Sequence, residues 1–499
     1  MSKVTINRFA YGGLAKNSRT PSTNKAGYVQ NFDILNYPET LKPYRGMTEN
    51  ETKAYFINDF QYINGGVGIG DNILGFGVQS GQGISGRAEL YIKSGDLLTG
   101  GWTTAITSSG TATKQRGTNS MLFFLYQGYV YYACGGTHIA RIGDLESSGV
   151  GATLNETYYA LSYNTFVTQA IRHSKDGIMY FGADNILYYK NGTSSIATAL
   201  TLPADLVITS VEEVGNYVMI SVRPKNNIGE SSSFLWGRDT SITLPDESIQ
   251  WGRGVLKIIG KVDGVPIGIS FIGNSIFNIN PKIVIKKYEG GQPQIVCELI
   301  GENTSITLYD KKWQTDNRLY FGAKITLNGE SRHTIFCVGK NDNGEIIVHP
   351  DINIDNDTAI TIINGFAKFD DIWFVAHNND GSINQTLNDG SYAGTSIWES
   401  LKNPSMDIED RHLLKKLINV SVSFSKLPSN GQVVLKYRLD GATSWDTIKT
   451  ETTDNGVYFK TTNLSDGQQF KQGREIEFRI ESTGGAEITE FSYEYLKIN

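Results

Sequence analysis

Cysteine is nearly missing from this 499-residue chain, which carries only Cys134, Cys297 and Cys337. An odd, widely spaced set with no CxxC pair argues against a disulfide framework and reads as buried, reduced thiols. Proline (12) and methionine (6) are also scarce. Runs of Lys and Arg are absent, and a net charge of −6 is spread along the chain. That pattern argues against sequence-specific binding of DNA or RNA, which needs a basic stripe. No apolar run approaches the ~20 residues that a membrane-spanning helix requires. The opening residues, MSKVTINRFAYGG, hold no apolar stretch of signal-peptide type. The expectation is a chain made in a cytoplasm.

What is present points to strands. Glycine is abundant (54), Tyr and Phe number 26 and 22, and apolar residues reach 39%. Glycine supplies turns and bulges, while aromatic and β-branched residues suit a pleated surface. At ~150 residues per domain, the length implies about three units.

Residues 176–183 read DGIMYFGA, and residues 316–323 read DNRLYFGA. Each is a turn dipeptide followed by a short apolar run, the second strand of a hairpin. Weaker copies begin at Asp71-Asn72, Gly128-Tyr129, Gly215-Asn216, Gly273-Asn274 and Asp370-Asp371. The seven stations lie 39 to 58 residues apart. A period of about 40–50 residues with several short strands per unit is the mark of a β-propeller. The sequence therefore predicts an all-β fold with a propeller of about seven blades over 51–402, a run of β-sandwiches being the alternative.

The ends differ from the middle. Residues 1–50 are polar without sustained alternation, yet hold Phe9, Tyr11, Tyr28, Phe32, Tyr37 and Tyr44. That many aromatics favours an extended N-terminal arm, ordered against a blade or a neighbouring subunit, over a solvated tail; in a ring of copies it would order only in the assembly. From 403 to 499, five runs alternate apolar and polar: 417–424, 432–439, 457–462, 474–482 and 488–496. They predict a C-terminal antiparallel β-sandwich with Trp445 in its core or at its edge. The best helix candidate is 405–417, with Ser405 as its N-cap.

Motifs that carry chemistry fail one by one. Gly81 to Gly86 satisfies GxGxxG, but no helix follows it. DINIDNDTAITI (351–362) begins like an EF-hand, but Asn356 and Ile362 occupy the positions of the essential Gly and Glu. A looser calcium site would use Asp351, Asp355 and Asp357, with a solvated acidic turn as the plainer reading. The histidines at 138, 173, 333, 349, 377 and 412 form no HxH or HExxH, and no GxSxG elbow occurs. No catalytic, cofactor or metal residue is assigned. Sequons such as those at Asn191 and Asn419 are expected by chance in so Asn- and Thr-rich a chain.

Over 214–280 and 316–344, the run SSFLWGRDTSITLPDESIQWGRGVLKIIGKVDGVPIGIS, then SIFNI, DNRLYFGA and HTIFCVGKNDNG, resembles propeller-type structural proteins of tailed-phage virions. These are tail hub, nozzle and DNA-stabilisation components of short-tailed phages. NFDILNYPETLKPYRG in the arm and ITEFSYEYLKIN at the end fit the same resemblance. It rests on texture and element order, with no diagnostic motif. It implies a non-enzymatic virion protein whose copies, six by the resemblance, form a ring. That ring would join portal or adaptor proteins to the distal tail, retain packaged DNA and conduct it during ejection. The alternative is a carbohydrate- or receptor-binding tail protein using Trp102, Trp236, Trp251 and Trp398, for which a place in blade cores is the plainer reading. A glycan-cleaving enzyme is a third expectation, without a specific pair of carboxylates behind it.

Overall fold

The computed structural model describes residues 2–9, 26–37, 39–52, 55–66, 70–79, 88–93, 101–107, 122–134, 137–143, 145, 153–162, 167–214, 217–226, 230–238, 254–263, 267–271, 275–279, 284–288, 294–298, 304–314, 318–327, 330–341, 344–354, 362–369, 372–377, 382–386, 392, 394–453 and 457–498. The fold is all-β. The N-terminal segment supplies β1 (Ser2–Ile6), β2 (Ala26–Gln30) and β3 (Met47–Thr52). Seven four-stranded sheets follow. Sheet one holds β4 (Tyr55–Gly66), β5 (Gly70–Gln79), β6 (Ala88–Lys93) and β7 (Trp102–Thr107). Sheet two holds β8 (Phe123–Tyr126), β9 (Tyr129–Cys134), β10 (His138–Gly143) and β11 (Thr153–Ala160). Sheet three holds β12 (Ile171–Arg172), β13 (Met179–Ala183), β14 (Ile186–Lys190) and β15 (Ala197–Thr201). Sheet four holds β16 (Leu206–Val214), β17 (Tyr217–Pro224), β18 (Glu230–Arg238) and β19 (Gly254–Asp263). Sheet five holds β20 (Ile267–Phe271), β21 (Ser275–Ile279), β22 (Val284–Tyr288) and β23 (Gln294–Glu298). Sheet six holds β24 (Thr304–Gln314), β25 (Arg318–Leu327), β26 (Glu330–Lys340) and β27 (Ile346–Asn353). Sheet seven takes β28 (Ile363–Phe369), β29 (Ile372–His377) and β30 (Ser382–Thr386). Its fourth strand is β3, paired as Met47↔Thr386 and Thr48↔Gln385.

The strand part of each of the seven stations is the second strand of a sheet, β5, β9, β13, β17, β21, β25 and β29, while the turn residues 215–216, 273–274, 316–317 and 370–371 lie outside the described residues. Asp71-Asn72 lies just inside β5 rather than before it. Second strands are flanked by a neighbour on each side, and β9, β13 and β29 are buried along nearly their whole length. A strand enclosed in this way reads as a continuous apolar run.

The repeated YFGA makes equivalent contacts at both stations. Tyr180 meets Trp236 of sheet four edge-on, and Tyr320 meets Trp373 of sheet seven in the same way. Phe181 stacks on its cross-strand partner Tyr188, as Phe321 does on Phe336. Gly182 faces Ile208 on the first strand of the next sheet, and Gly322 faces Phe366 on the first strand of its next sheet. A side chain at Gly182 would press into Ile208, whereas one at Gly322 would just reach contact with Phe366. Buried clusters join sheets two and three, three and four, six and seven, and seven and one.

The C-terminal unit comprises β31 (Thr395–Ser400), β32 (Leu414–Phe424), β33 (Gln432–Leu439), β34 (Asp446–Glu451), β35 (Tyr458–Thr461), β36 (Gln472–Gly473), β37 (Ile476–Thr483) and β38 (Ile488–Ile498). One sheet runs β1-β38-β32-β35 with β36 beside β32, and the other runs β2-β31-β37-β33-β34. Two strands of this unit thus come from the arm, and a third, β31, precedes residue 403. All five alternating runs of the sequence correspond to strands here. Residues of both sheets share one core with Phe321, Phe336 and Val348 of sheet six. Trp445 is half-buried, with the Arg438 and Arg479 guanidinium groups 4.4 and 4.7 Å from its ring centre.

Two expectations are corrected. The arm does not wait for an assembly to order it: β1 and β2 are strands of the single chain, and Phe9, Tyr28 and Phe32 are buried. The Trp398 indole N–H donates to the Phe9 carbonyl at 2.8 Å, and the two rings meet edge-on. Residues 405–417 are not a helix. Ser405 has φ of +59°, which no N-cap adopts, and only Ile408–Asp410 make a 3-10 turn. Leu414 and Leu417 instead start β32. Lys415 is fully buried in that strand and donates to the carbonyls of Asp410, Arg411 and Leu413 at 2.8, 3.1 and 2.7 Å.

Candidate functional site

Among the described residues, a group of buried titratable side chains lies on the face of sheet six that packs against sheet seven. Register sets it. Tyr320 of β25 lies opposite Cys337 of β26, which lies opposite His349 of β27. Neighbours across a sheet share a face, so the three form one row. Asp351 stands two residues beyond His349 on β27 and returns to that face. Cys337, His349 and Asp351 are all fully buried. One donor atom from each lies within 4.8 Å of the other two.

Sheet seven and the arm complete the surroundings. Lys368 of β28 approaches Asp351 Oδ2 at 3.4 Å and the Tyr320 hydroxyl at 3.5 Å. Its ammonium sits 5.1 to 5.5 Å from the ring centres of Trp373, Tyr320 and Tyr44. Those π faces favour a cation. The Tyr44 hydroxyl donates to Asp351 Oδ1. Tyr44 and Trp373 also line a cleft of about 240 Å³, with Asp33, Lys42, Arg45 and Tyr392 on its walls.

Burial opposes ionisation of Asp351, yet Lys368, the Tyr44 hydroxyl and Arg318 outweigh it and hold the carboxyl below its ordinary range. Burial pushes the Cys337 thiol far up, so it is protonated at neutral pH. Burial pushes His349 down, toward the neutral ring. His349 Nδ1 lies 2.9 Å from the Pro350 carbonyl, which fixes a proton on that nitrogen. Nε2 has no hydrogen-bond partner among the described residues.

His333 makes a second polar contact in sheet six. Its Nδ1 lies 2.6 Å from the Tyr309 hydroxyl, and the rings are stacked. Burial, then the charges of Lys324 and His377, lower its pKa to about 4.

Other residues singled out in the sequence fare differently. Trp102, Trp236 and Trp398 are buried in cores, so none offers a face to a sugar. Trp251 lies outside the described residues, as do Gly81 to Gly86 and the pair Asp355 and Asp357. Asp351, the remaining member of the loose calcium set, accepts from Tyr44 and faces Lys368. Cys134 and Cys337 are buried thiols outside any disulfide. Asn419 is buried against Glu494. The row of Cys337 and His349 was within reach of sequence reasoning. The hairpin across Asn341 to Gly344 pairs Lys340 with Ile346, and counting outward brings Cys337 opposite His349. Nothing in the sequence joins Tyr44 or Lys368 to them.

No family model matches the chain, and no curated protein matches it. Among solved structures, a glycoside hydrolase is 11% identical with a TM-score of 0.28, over 89% of this chain and 100% of its own. A puromycin hydrolase is 8% identical with a TM-score of 0.41, over 68% of this chain and 58% of its own. An oxidoreductase (glucose dehydrogenase) from Thermus thermophilus is 10% identical with a TM-score of 0.32, over 68% of this chain and 99% of its own. Likeness at this level carries no argument about function.

Proposed function

We propose that the chain is a non-enzymatic structural protein of a tailed-phage virion. In this reading its seven sheets close into a seven-bladed propeller, and copies of the chain form a ring in the tail that retains and conducts DNA. The observation that supports the reading is the contact between the first and last sheets. Sheets follow one another in chain order, sheet seven packs on sheet one, and the N-terminal β3 supplies the last strand of sheet seven. A propeller closed by strands from both ends of its chain has only short, protected edges. The same arm builds β1 and β2 into the C-terminal sandwich, so one segment stitches both units. Such a body suits a part that must hold its shape while DNA passes. A net charge of −6 suits a channel that does not grip phosphates. Because the arm is already used within the chain, contacts to tail, portal or adaptor proteins fall to loops and sheet edges. The reading leaves the chain without a membrane span, and among the described residues no helix is long and apolar enough to cross one.

The test is native mass with particle imaging of the purified chain, alone and mixed with virion tail proteins. A ring with an open centre is expected in one of the two conditions. A monomer in both overturns the proposal.

A further inference from the structure

We propose that Cys337, His349 and Asp351 form a buried binding site for a divalent transition-metal ion of the zinc type. Three observations carry it. The set is one thiol, one imidazole and one carboxylate, the donor types that zinc takes in proteins. Their donor atoms are gathered within 4.8 Å on two adjacent, hydrogen-bonded strands. His349 is fully buried and its Nε2 has no partner among the described residues, a rare expense in an interior. The Pro350 carbonyl holds the proton on Nδ1, which leaves the Nε2 lone pair for an ion. This is the outer-shell arrangement that metal-bound histidines use.

The remaining geometry is compatible. Metal–donor bonds of ~2.0–2.3 Å require the three side chains to close by about 1 Å. Asp351 already accepts from Tyr44 and approaches Lys368, but a carboxylate offers about four lone-pair sites. Lys368 retains the three ring faces around its ammonium when the ion takes a share of Asp351. Tyr44 spans from the cleft to the Asp351 carboxylate, so the cleft reaches to within one side chain of the donors. On binding, the Cys337 thiol gives its proton to solvent and its sulfur becomes the thiolate ligand; no oxidation is involved. The site is independent of whether the protein belongs to a phage tail.

The experiment uses the full chain, stripped with a chelator and titrated with Co²⁺. One equivalent is expected to bind, with a thiolate-to-cobalt charge-transfer band and the visible bands of a tetrahedral ion, both abolished by added Zn²⁺. Cys337→Ser is expected to lose the charge-transfer band, while Cys134→Ser and Cys297→Ser keep it. Absence of the band in the unaltered chain overturns the proposal whatever the variants do. So does its survival in Cys337→Ser, or its loss in either control. Should Cys337→Ser fail to fold, the titration of the unaltered chain with the two controls still decides.

Discussion

At the scale of single residues, the two YFGA glycines show how close approach is graded. A Cβ on Gly182 would lie 2.5 Å from Ile208 Cγ2, well inside contact distance, whereas one on Gly322 would meet Tyr309 Cδ2 at 3.3 Å and Phe366 Cε1 at 3.4 Å. Neither glycine has a positive φ, so alanine gains ~0.4–1 kcal/mol by restricting the unfolded chain. At Gly182 that gain is outweighed by overpacking of ~1–3 kcal/mol. Gly182→Ala is therefore expected to lower the denaturation midpoint clearly, and Gly322→Ala to leave it almost unchanged. Equal midpoints for the two variants would show that the spacing of successive sheets is not set at this position. His333 gives a pH dependence. Its folded pKa of about 4 lies below the ordinary value, so the unfolded chain binds the extra proton first. Its contribution is intact above about pH 6.5 and is lost as pH falls toward the folded value. His333→Gln should flatten the decline of the urea midpoint across that window, an outcome read from unfolding curves at several pH values.

At the scale of elements, legibility followed locality. The second strand of each sheet was visible because a turn precedes it and burial on both faces writes an apolar run. Edge strands such as β11 alternate half-buried and exposed positions and left little mark. The pairings β1–β38, β2–β31 and β3–β30 join residues hundreds of positions apart. A period-two pattern says which face a strand buries and nothing about its partner, so the sequence does not say which strands the arm joins. The buried row of the site divides the same way: the β26–β27 hairpin brings Cys337 and His349 together locally, while Lys368 and Tyr44 arrive through packing. The arm's attachment can be tested at Trp398. Trp398→Phe removes the hydrogen bond to the Phe9 carbonyl, worth ~1 kcal/mol, and keeps most of the packing. Trp398→Ala empties a fully buried site at ~3–5 kcal/mol. Limited proteolysis of the single chain should spare the N-terminal segment in the unaltered protein and in Trp398→Phe, and cut it in Trp398→Ala. Rapid cleavage in the unaltered monomer would mean that β1 and β2 do not stay docked.

At the scale of the whole molecule, the question is whether the sheets act as one body or as a string of separate sandwiches. Two features argue for one body. Sheet seven is packed on sheet one and finished by β3, so loosening either end exposes the other. Sheet six contributes Phe321 and Phe336 to the core of the C-terminal sandwich, so that unit's interior is continuous with sheet six. Proteins open in cooperative units that follow shared buried contacts. Phe321→Ala removes a buried ring that stacks on Phe336, at ~3–5 kcal/mol. Its effect should therefore reach beyond its own sheet. Hydrogen exchange is expected to speed up in β37 and β38 of the sandwich as well as in β25 and β26, with a single thermal transition moved downward. Faster exchange confined to sheet six, with the sandwich melting at its original temperature, would mean that the shared core does not couple the two units, and the rigidity on which the conduit reading depends would lose its physical basis.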